Sequence, residues 1–186
     1  IRKHIGRFSV TIFTLIAIFS PSPDKSIREP KTIATGNAGT DEGIDSFVTS
    51  ANGNPPQKSI LLADLRKTQS IDERRIYSMG HSNGAAFSYL LWQARPTVLA
   101  AIGSVAGSLR GDVKELPPLP VIHVAGENDP LVKFAWQEET IRALRRLNGT
   151  AEGTPWAPDC TRYPSERGTP VVTFIHEGAH GFPREA

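Results

Sequence analysis

Four short runs of apolar residues in the second two-thirds of the chain have the length and continuity of buried β-strands. Strands that are covered on both faces are apolar throughout, whereas half-exposed strands alternate apolar and polar residues. These runs therefore predict a parallel sheet. They are residues 75–79, 99–105, 121–125 and 171–175.

Helical patterns alternate with these strands. Residues 85–95 are apolar almost all round a helix, which predicts a buried helix. Residues 134–147 place apolar side chains on one side and arginines on the other, and Asn148-Gly149 follows as a C-terminal signal. A further helix is predicted from Ser59, because leucines recur behind it at helical spacing. This alternation indicates an α/β fold, a mostly parallel sheet with helices on both faces.

The N-terminal part of the chain has a different character. Residues 8–19 form an uncharged run behind several basic residues, which is typical of a secretory signal peptide and of a secreted or periplasmic protein. The run is shorter than the roughly 20 residues of a membrane span, so no stable span is predicted. Its β-branched residues also fit a first β-strand, which is the second reading, and sequence foreign to the domain is the third. We therefore expect a signal peptide or first strand over residues 1–20, a loop-rich segment over 21–58 and a catalytic core over 59–186.

Composition narrows the function classes. The chain has 186 residues, 39% of them hydrophobic and 22% charged, as in an ordinary globular domain. Its net charge of +2 gives no reason to expect a nucleic-acid partner. The single cysteine, Cys160, excludes an internal disulfide and a zinc site built on several cysteines. No metal and no organic cofactor is predicted.

Three polar residues each follow a predicted strand, where parallel sheets place their functional groups. They are Ser82, Asp129 and His180, and this chain order occurs in one class of serine hydrolases. A serine hydroxyl needs an imidazole to accept its proton, and a carboxylate orients that imidazole. The three residues are therefore candidates for nucleophile, acid and base.

The serine lies in the pentapeptide Gly80-His81-Ser82-Asn83-Gly84, which matches the G-x-S-x-G pattern. Such a match is common by chance, but here a strand precedes it and a buried helix follows. Gly80 and Gly84 would allow the sharp turn between them, and the Asn83 amide at the helix N-terminus would face a developing oxyanion.

Rival residues exist for two of the three roles. Glu127 is the nearest alternative carboxylate, and His176 is the alternative imidazole. We favour His180 because it lies in a glycine-flanked loop, whereas His176 directly abuts its strand. His123 alternates within an apolar strand and is expected to be a core histidine.

Three further residues are candidate substrate contacts. His81 is expected to shape the pocket beside the nucleophile. Trp136 follows the acid loop, and Trp156 is placed in a loop between two prolines. An ester substrate, either a small molecule or a polymer, is the expected partner.

From about Ser59 to Pro183 the chain resembles the polyhydroxybutyrate depolymerase and feruloyl esterase group of α/β-hydrolases, which is similar to carbohydrate esterase family 1. The resemblance implies an α/β-hydrolase fold and a secreted serine esterase that forms an acyl-enzyme on polyester, hydroxycinnamoyl or acyl-polysaccharide esters. It implies the same triad, with Ser82 as nucleophile, Asp129 as acid and His180 as base. The stretches that carry it are 71–77, the Ser-Asn-Gly elbow, 101–108, 128–132 and 177–180.

One departure from this group leaves alternatives open. Its members carry an early His-Gly loop that supplies a second oxyanion amide, and residues 1–58 contain no His-Gly dipeptide. Since losing one oxyanion donor costs about 100- to 1,000-fold in turnover, the alternative is a catalytically impaired, hydrolase-like binding domain. A serine peptidase of the prolyl-oligopeptidase type is another, because residues 178–182 suit its histidine loop. Residues 1–58 are accordingly read as truncated or divergent.

Overall fold

The computed structural model describes residues 14–18, 31–35, 66–67, 70–111 and 113–182. The helix predicted from Ser59 lies outside these residues, except that 66 and 67 are helical. The elements, in chain order, are β1 (Thr14–Ile18), β2 (Lys31–Thr35), β3 (Ile76–His81), α1 (Asn83–Ala94), β4 (Ala101–Val105), β5 (Val121–Gly126), α2 (Phe134–Asn148), β6 (Thr154–Ala157), β7 (Cys160–Tyr163) and β8 (Val171–His176).

The eight strands form one sheet in the order β2-β1-β3-β4-β5-β8-β7-β6. The four central strands β3, β4, β5 and β8 are parallel, which confirms the parallel sheet predicted from the continuous apolar runs. Antiparallel strands extend it on both sides, β1 and β2 at one edge and the β6–β7 hairpin at the other. The parallel register brings the carboxyl ends of the central strands to one edge, where His81 pairs with Val105 and Gly126 with His176.

Both described helices pack against the same face of the sheet. The strand register aligns Ile102, Val121 and Val171 across that face, and they join Trp92 of α1 and Leu144 of α2 in one buried cluster. Burial of each large apolar side chain contributes about 1.5–3 kcal/mol to folding. The cluster therefore fixes both helices, and with them the loops at their N-terminal ends.

Helix α2 ends where the sequence predicts. Gly149 adopts a left-handed conformation with φ 60°, and its N–H bonds to carbonyls of the last turn. The side chain of Asn148 is fully buried and donates to the carbonyls of Leu119 (2.7 Å) and Thr169 (2.9 Å). These bonds attach the end of the helix to the loops that enter β5 and β8.

Two features differ from the sequence analysis. Strand β2 lies inside segment 21–58, for which no strand was predicted. Strand β1 lies inside the apolar run 8–19, where a first strand was one of the stated readings. Trp156 belongs to strand β6 and not to a loop. Pro155 obscured this strand, but β6 is an edge strand, where a residue without an N–H is tolerated. In the part of the chain that the structure describes, no helix is long and apolar enough to cross a bilayer.

Candidate active site

Ser82 lies on a strained turn between β3 and α1. Its backbone has φ 56° and ψ −117°, a combination that non-glycine residues rarely adopt. The turn also brings β3 and α1 into close contact, since a Cβ on Gly80 would overlap the Gly84 carbonyl and lie 2.7 Å from the nitrogen of Ala85. The glycine at position 80 is therefore a steric requirement of the turn, as the pentapeptide pattern predicts.

Backbone hydrogen bonds hold this turn on both sides. The Ser82 N–H donates to the carbonyl of Val105 at the end of β4 (2.8 Å). The Ser82 carbonyl accepts from Ala85 (3.0 Å) and Ala86 (3.1 Å), which begins the helix. Asn83 is the exposed first residue of α1, and a helix offers no internal acceptor for the N–H of that position. The elbow thus presents an amide N–H beside a serine side chain.

Asp129 lies in the loop between β5 and α2, with its side chain completely buried. One carboxylate oxygen, Oδ1, accepts from the backbone N–H groups of Leu131 and Val132, both at 2.9 Å. The other, Oδ2, accepts from the side-chain amide of Gln137 on α2 at 3.2 Å. Two backbone N–H groups of the loop and one side chain of α2 therefore hold the carboxylate in addition to the imidazole.

His180 approaches the same carboxylate from the loop after β8. Its Nδ1 lies 2.8 Å from Oδ2 and 3.0 Å from Oδ1 of Asp129, and 14% of its side chain is exposed. The carboxylate fixes the tautomer, because an anionic oxygen needs a donor and Nδ1 must carry the proton. The lone pair of the neutral ring is then on Nε2.

The acid loop and the histidine loop are joined along their backbones. The N–H of Glu127 donates to the His176 carbonyl (2.8 Å), and Asn128 donates to the carbonyls of Gly178 (3.2 Å) and Glu177 (2.6 Å). The contact is close, since a Cβ on Gly126 would overlap the Ala179 carbonyl. These bonds set the separation between the carboxylate and the imidazole.

The surroundings of Asp129 favour its ionised form. Burial by itself would raise the pKa of this carboxyl. The hydrogen bonds from His180 and from the N–H groups of Val132 and Leu131 outweigh burial, so the pKa is lower than usual. Asp129 is therefore ionised at neutral pH, when it accepts all of these hydrogen bonds.

His81 connects the two parts of the site. It directly precedes Ser82, and its ring centroid lies 4.8 Å from that of His180. Burial lowers the pKa of His81, and the nearby His180 lowers it further. His81 therefore favours its neutral form and packs beside the imidazole of His180.

The rival residues have other contacts. His176 is buried, and its Nδ1 accepts the N–H of Gly178 at 3.1 Å. The Glu127 side chain is exposed. His123 is fully buried in β5 with its Nδ1 2.9 Å from the Tyr89 hydroxyl, as expected of a core histidine.

The two candidate tryptophans, Trp136 and Trp156, take no part in the contacts given above. Trp136, in the first turn of α2, is 48% exposed and lines a cavity of about 860 Å³ between α2 and the segment around 108–118. None of Ser82, Asp129 and His180 lines that cavity. Trp156 on β6 is 62% exposed. Within the described ranges, no three His, Cys, Asp or Glu side chains are grouped as a metal site would require.

Sequence reasoning missed two contributors to the site. Gln137 contacts the candidate acid, but it lies within an ordinary amphipathic pattern, and only its polar side chain on the apolar face of α2 could have drawn attention. Gly126 is the last residue of β5, and nothing in the sequence shows that it packs closely against the Ala179 carbonyl. The sequence analysis identified no second oxyanion donor. Residues 1–58, where the early His-Gly loop is missing, lie outside the described residues except for β1 and β2.

Comparison with known proteins gives relatives that carry esterase names. The chain is 28% identical over 88 residues to the bifunctional acetylxylan esterase/xylanase XynS20E of Neocallimastix patriciarum, a match that covers 47% of this chain and 13% of that protein. It is 30% identical over 77 residues to NocK of Nocardia uniformis subsp. tsuyamanensis, provisionally named an esterase, over 40% of this chain and 22% of that protein. The chain thus spans under a quarter of either relative. No protein-family model matches it.

Among solved structures, the chain is similar to an acetyl xylan esterase from Aspergillus awamori. The TM-score is 0.53 at 12% identity, covering 68% of this chain and 62% of that one. The likeness concerns the fold, and it agrees with the central parallel strands, the strand-to-helix elbow and the packed helices described above. The chain has the α/β-hydrolase fold.

Proposed function

We propose that this chain is a carboxylic ester hydrolase in which Ser82, His180 and Asp129 form a catalytic triad. The observation that supports this most strongly is the pair of short contacts between His180 Nδ1 and the buried carboxylate of Asp129. This pair lies beside His81, the chain neighbour of a serine with the strained backbone of a nucleophile. Relatives that carry esterase names support the same reaction class.

In the proposed reaction His180 accepts and returns a proton in each of two half-reactions, acylation and deacylation. Ser82 Oγ attacks the ester carbonyl while His180 Nε2 accepts its proton, and Asp129 stabilises the resulting imidazolium. The Asn83 N–H stabilises the oxyanion at the helix N-terminus. The tetrahedral intermediate collapses to an acyl-enzyme, and the leaving alcohol takes the proton from His180. Water then attacks the acyl group, again with His180 as base, and releases the carboxylic acid and free Ser82.

For the substrate, we propose acyl groups carried on a polysaccharide, with acetyl as the first to test. Two similar proteins bear acetyl xylan esterase names, one matched by sequence and one by fold. Hydroxycinnamoyl esters and polyhydroxybutyrate, which the sequence resemblance implies, are the next two classes to compare. Because such substrates are polymers outside the cell, we also propose a secreted or periplasmic location.

The central test uses p-nitrophenyl acetate and a fluorophosphonate probe. We expect turnover with an initial burst, and mass spectrometry should locate the probe on Ser82. Ser82→Ala should abolish labelling and lower kcat by about 10⁶-fold, because no nucleophile remains to form the acyl-enzyme. Asp129→Asn should lower kcat by about 10⁴-fold, because the imidazole loses its orienting anion.

Ser108→Ala is the matched control, since Ser108 lines the cavity beside α2 and not the elbow. It should keep both labelling and turnover. Folded protein that binds an acetylated oligosaccharide, but neither turns over ester nor accepts the probe, would contradict the enzymatic proposal and favour a binding domain.

A further inference from the structure

Gln137 is a fully buried polar residue one turn into α2, and it faces the candidate acid. Its side-chain amide nitrogen donates to Asp129 Oδ2 at 3.2 Å and to the Val132 carbonyl at 2.8 Å. Both amide hydrogens are thereby directed towards the acid loop. The amide oxygen, Oε1, must then point in the other direction, into the core.

His123 lies on that other side of Gln137. Oε1 of Gln137 and Nε2 of His123 are both buried, and neither has a partner of good hydrogen-bond geometry among the described residues. The two side chains are close enough for Gln137 to affect the pKa of His123. Burial lowers the pKa of His123 to about 4, and the side chain of Gln137 partly opposes that shift. A neutral imidazole has one N–H, and with that proton on Nε2 the ring presents a donor to Oε1 and not a second acceptor.

Tyr89 completes the chain of contacts from helix α1. Its buried hydroxyl lies 2.9 Å from His123 Nδ1. With the proton of His123 on Nε2, Nδ1 is an acceptor and the tyrosine hydroxyl is the donor. One assignment of donors and acceptors then fits the whole series from Tyr89 through His123 and Gln137 to Asp129. Reversing the Gln137 amide would place its oxygen against a carboxylate, which is repulsive.

From this geometry we infer that Gln137 is a positioning residue for the triad, one that fixes the rotation of the Asp129 carboxylate through an amide oriented by His123 and Tyr89. The inference rests on the proposed function. The backbone N–H groups of Leu131 and Val132 contact only Oδ1, so they do not hold Oδ2 directly. Gln137 supplies the second point of attachment, at the oxygen closest to His180.

A merely structural role for Gln137 has a different consequence. The bond to the Val132 carbonyl would stabilise the start of α2 whether or not the amide touched Asp129. Loss of Gln137 would then lower stability, but the hydrogen bond between Asp129 and His180 would be unchanged. The test must therefore follow that hydrogen bond as well as activity.

We propose to compare Gln137→Met with Thr140→Val. Methionine fills a similar volume without an amide. Thr140 is a buried neighbour on α2 whose hydroxyl bonds to the Leu109 N–H (3.0 Å) and the Trp136 carbonyl (3.0 Å). Thr140→Val removes these buried hydrogen bonds from the same helix. Neither of them involves Asp129 or His123.

Two measurements decide the inference. The kcat for p-nitrophenyl acetate should fall roughly 10- to 100-fold in Gln137→Met with KM little changed, because the base is misplaced only for the chemical step. The far-downfield proton resonance of His180 Nδ1–H should shift upfield or broaden in the same variant. Thr140→Val should lower the melting temperature comparably while kcat and the resonance stay near wild-type values.

Equal losses of kcat in the two variants, or an unchanged resonance in Gln137→Met, would overturn the inference. The resonance does not require turnover. If the wild-type protein neither hydrolyses esters nor accepts the fluorophosphonate, the proposed function fails, and the resonance alone still decides whether Gln137 holds the Asp129–His180 pair.

Discussion

The two halves of the candidate site are held in place by different kinds of interaction. The elbow is built mainly from five consecutive residues, 80–84, which place Ser82 through backbone geometry and one close glycine contact. A single backbone bond from Ser82 to Val105 attaches it to the neighbouring strand. The acid–base pair joins Asp129 to a histidine 51 positions away. Hydrogen bonds between two loops and a chain of buried polar side chains hold that pair.

This difference determines how each half should fail. A steric requirement of the backbone is all-or-none, so a change within the elbow should disrupt the fold around it. A hydrogen-bonded arrangement can loosen while the protein stays folded, so changes around the acid–base pair should reduce activity in steps. Acid should act on both halves through buried imidazoles, because burial lowers the pKa of His81 in the elbow and of His123 behind the acid loop.

The largest effect is expected from Gly80→Ala. The new Cβ would overlap the Gly84 carbonyl and lie 2.7 Å from the nitrogen of Ala85, and backbone atoms cannot move aside as a side-chain tip can. We expect a loss of about 3 kcal/mol or more, the upper end of overpacking effects. The melting temperature should fall by about 10 °C with loss of activity. Thermal unfolding monitored by circular dichroism measures this.

Gly181→Ala is the matched control for stability. A Cβ there meets nothing within 4 Å, so the free energy of unfolding should stay within about 1 kcal/mol of the wild-type value. If Gly80→Ala were as stable as Gly181→Ala, the elbow would be less rigid than its close contact implies.

The local half of the site is also the half that the sequence predicts well. A short strand, two glycines around a serine and a buried helix all fall within twenty consecutive residues. The structure has the same elements, with β3 ending at His81 and α1 beginning at Asn83. The central strands and α2 were predictable because burial makes the strands largely apolar along their length and gives α2 a helical period.

The non-local half was only partly predictable. The strand ends indicated Asp129 and His180, since parallel strands share an edge. Nothing in the spacing of Asp129 and Gln137 shows that an amide on α2 turns back towards the acid, because that depends on how α2 packs. Strand β6 was missed for a related reason, since only its edge position explains why Pro155 is tolerated there.

The second prediction is that mild acid weakens the fold through the core histidine behind the acid loop. Burial lowers the pKa of His123 to about 4, whereas an unfolded histidine has a pKa of about 6.5. Between these values the unfolded chain binds a proton that the folded protein does not, so stability falls as the pH is lowered. The loss is bounded at about 3 kcal/mol between pH 6.5 and 4. Asp129 adds to it only below about pH 4, since the pKa of its folded form is lower than the usual 3.9.

Urea unfolding at a series of pH values measures this loss. His123→Gln removes the titrating group but keeps a polar side chain, so its stability should change less between pH 6.5 and 4. Tyr89→Phe serves as a control, because it removes the hydrogen bond to His123 and leaves the imidazole able to titrate. Equal pH dependence in His123→Gln and the wild-type protein would show that another buried group is responsible.

The smallest effect, and the most direct test of the comparison, is expected from Gly126→Ala. A Cβ at this position would overlap the Ala179 carbonyl and lie 2.6 Å from the Gly178 carbonyl, directly before His180. Unlike the neighbours of Gly80, these carbonyls belong to a loop whose own residues 177–179 are exposed and can shift outwards. Such a shift lengthens the Asp129–His180 hydrogen bond without opening the core.

We therefore expect kcat of Gly126→Ala to fall roughly 10- to 100-fold, as displacement of a catalytic group by about 1 Å does. The melting temperature should be far less affected than in Gly80→Ala. Steady-state kinetics and thermal unfolding of the same two variants provide the measurement. If both glycine variants lost stability and activity in the same proportion, the acid–base pair would be as rigidly built as the elbow, and the distinction between a steric and a hydrogen-bonded half would be wrong.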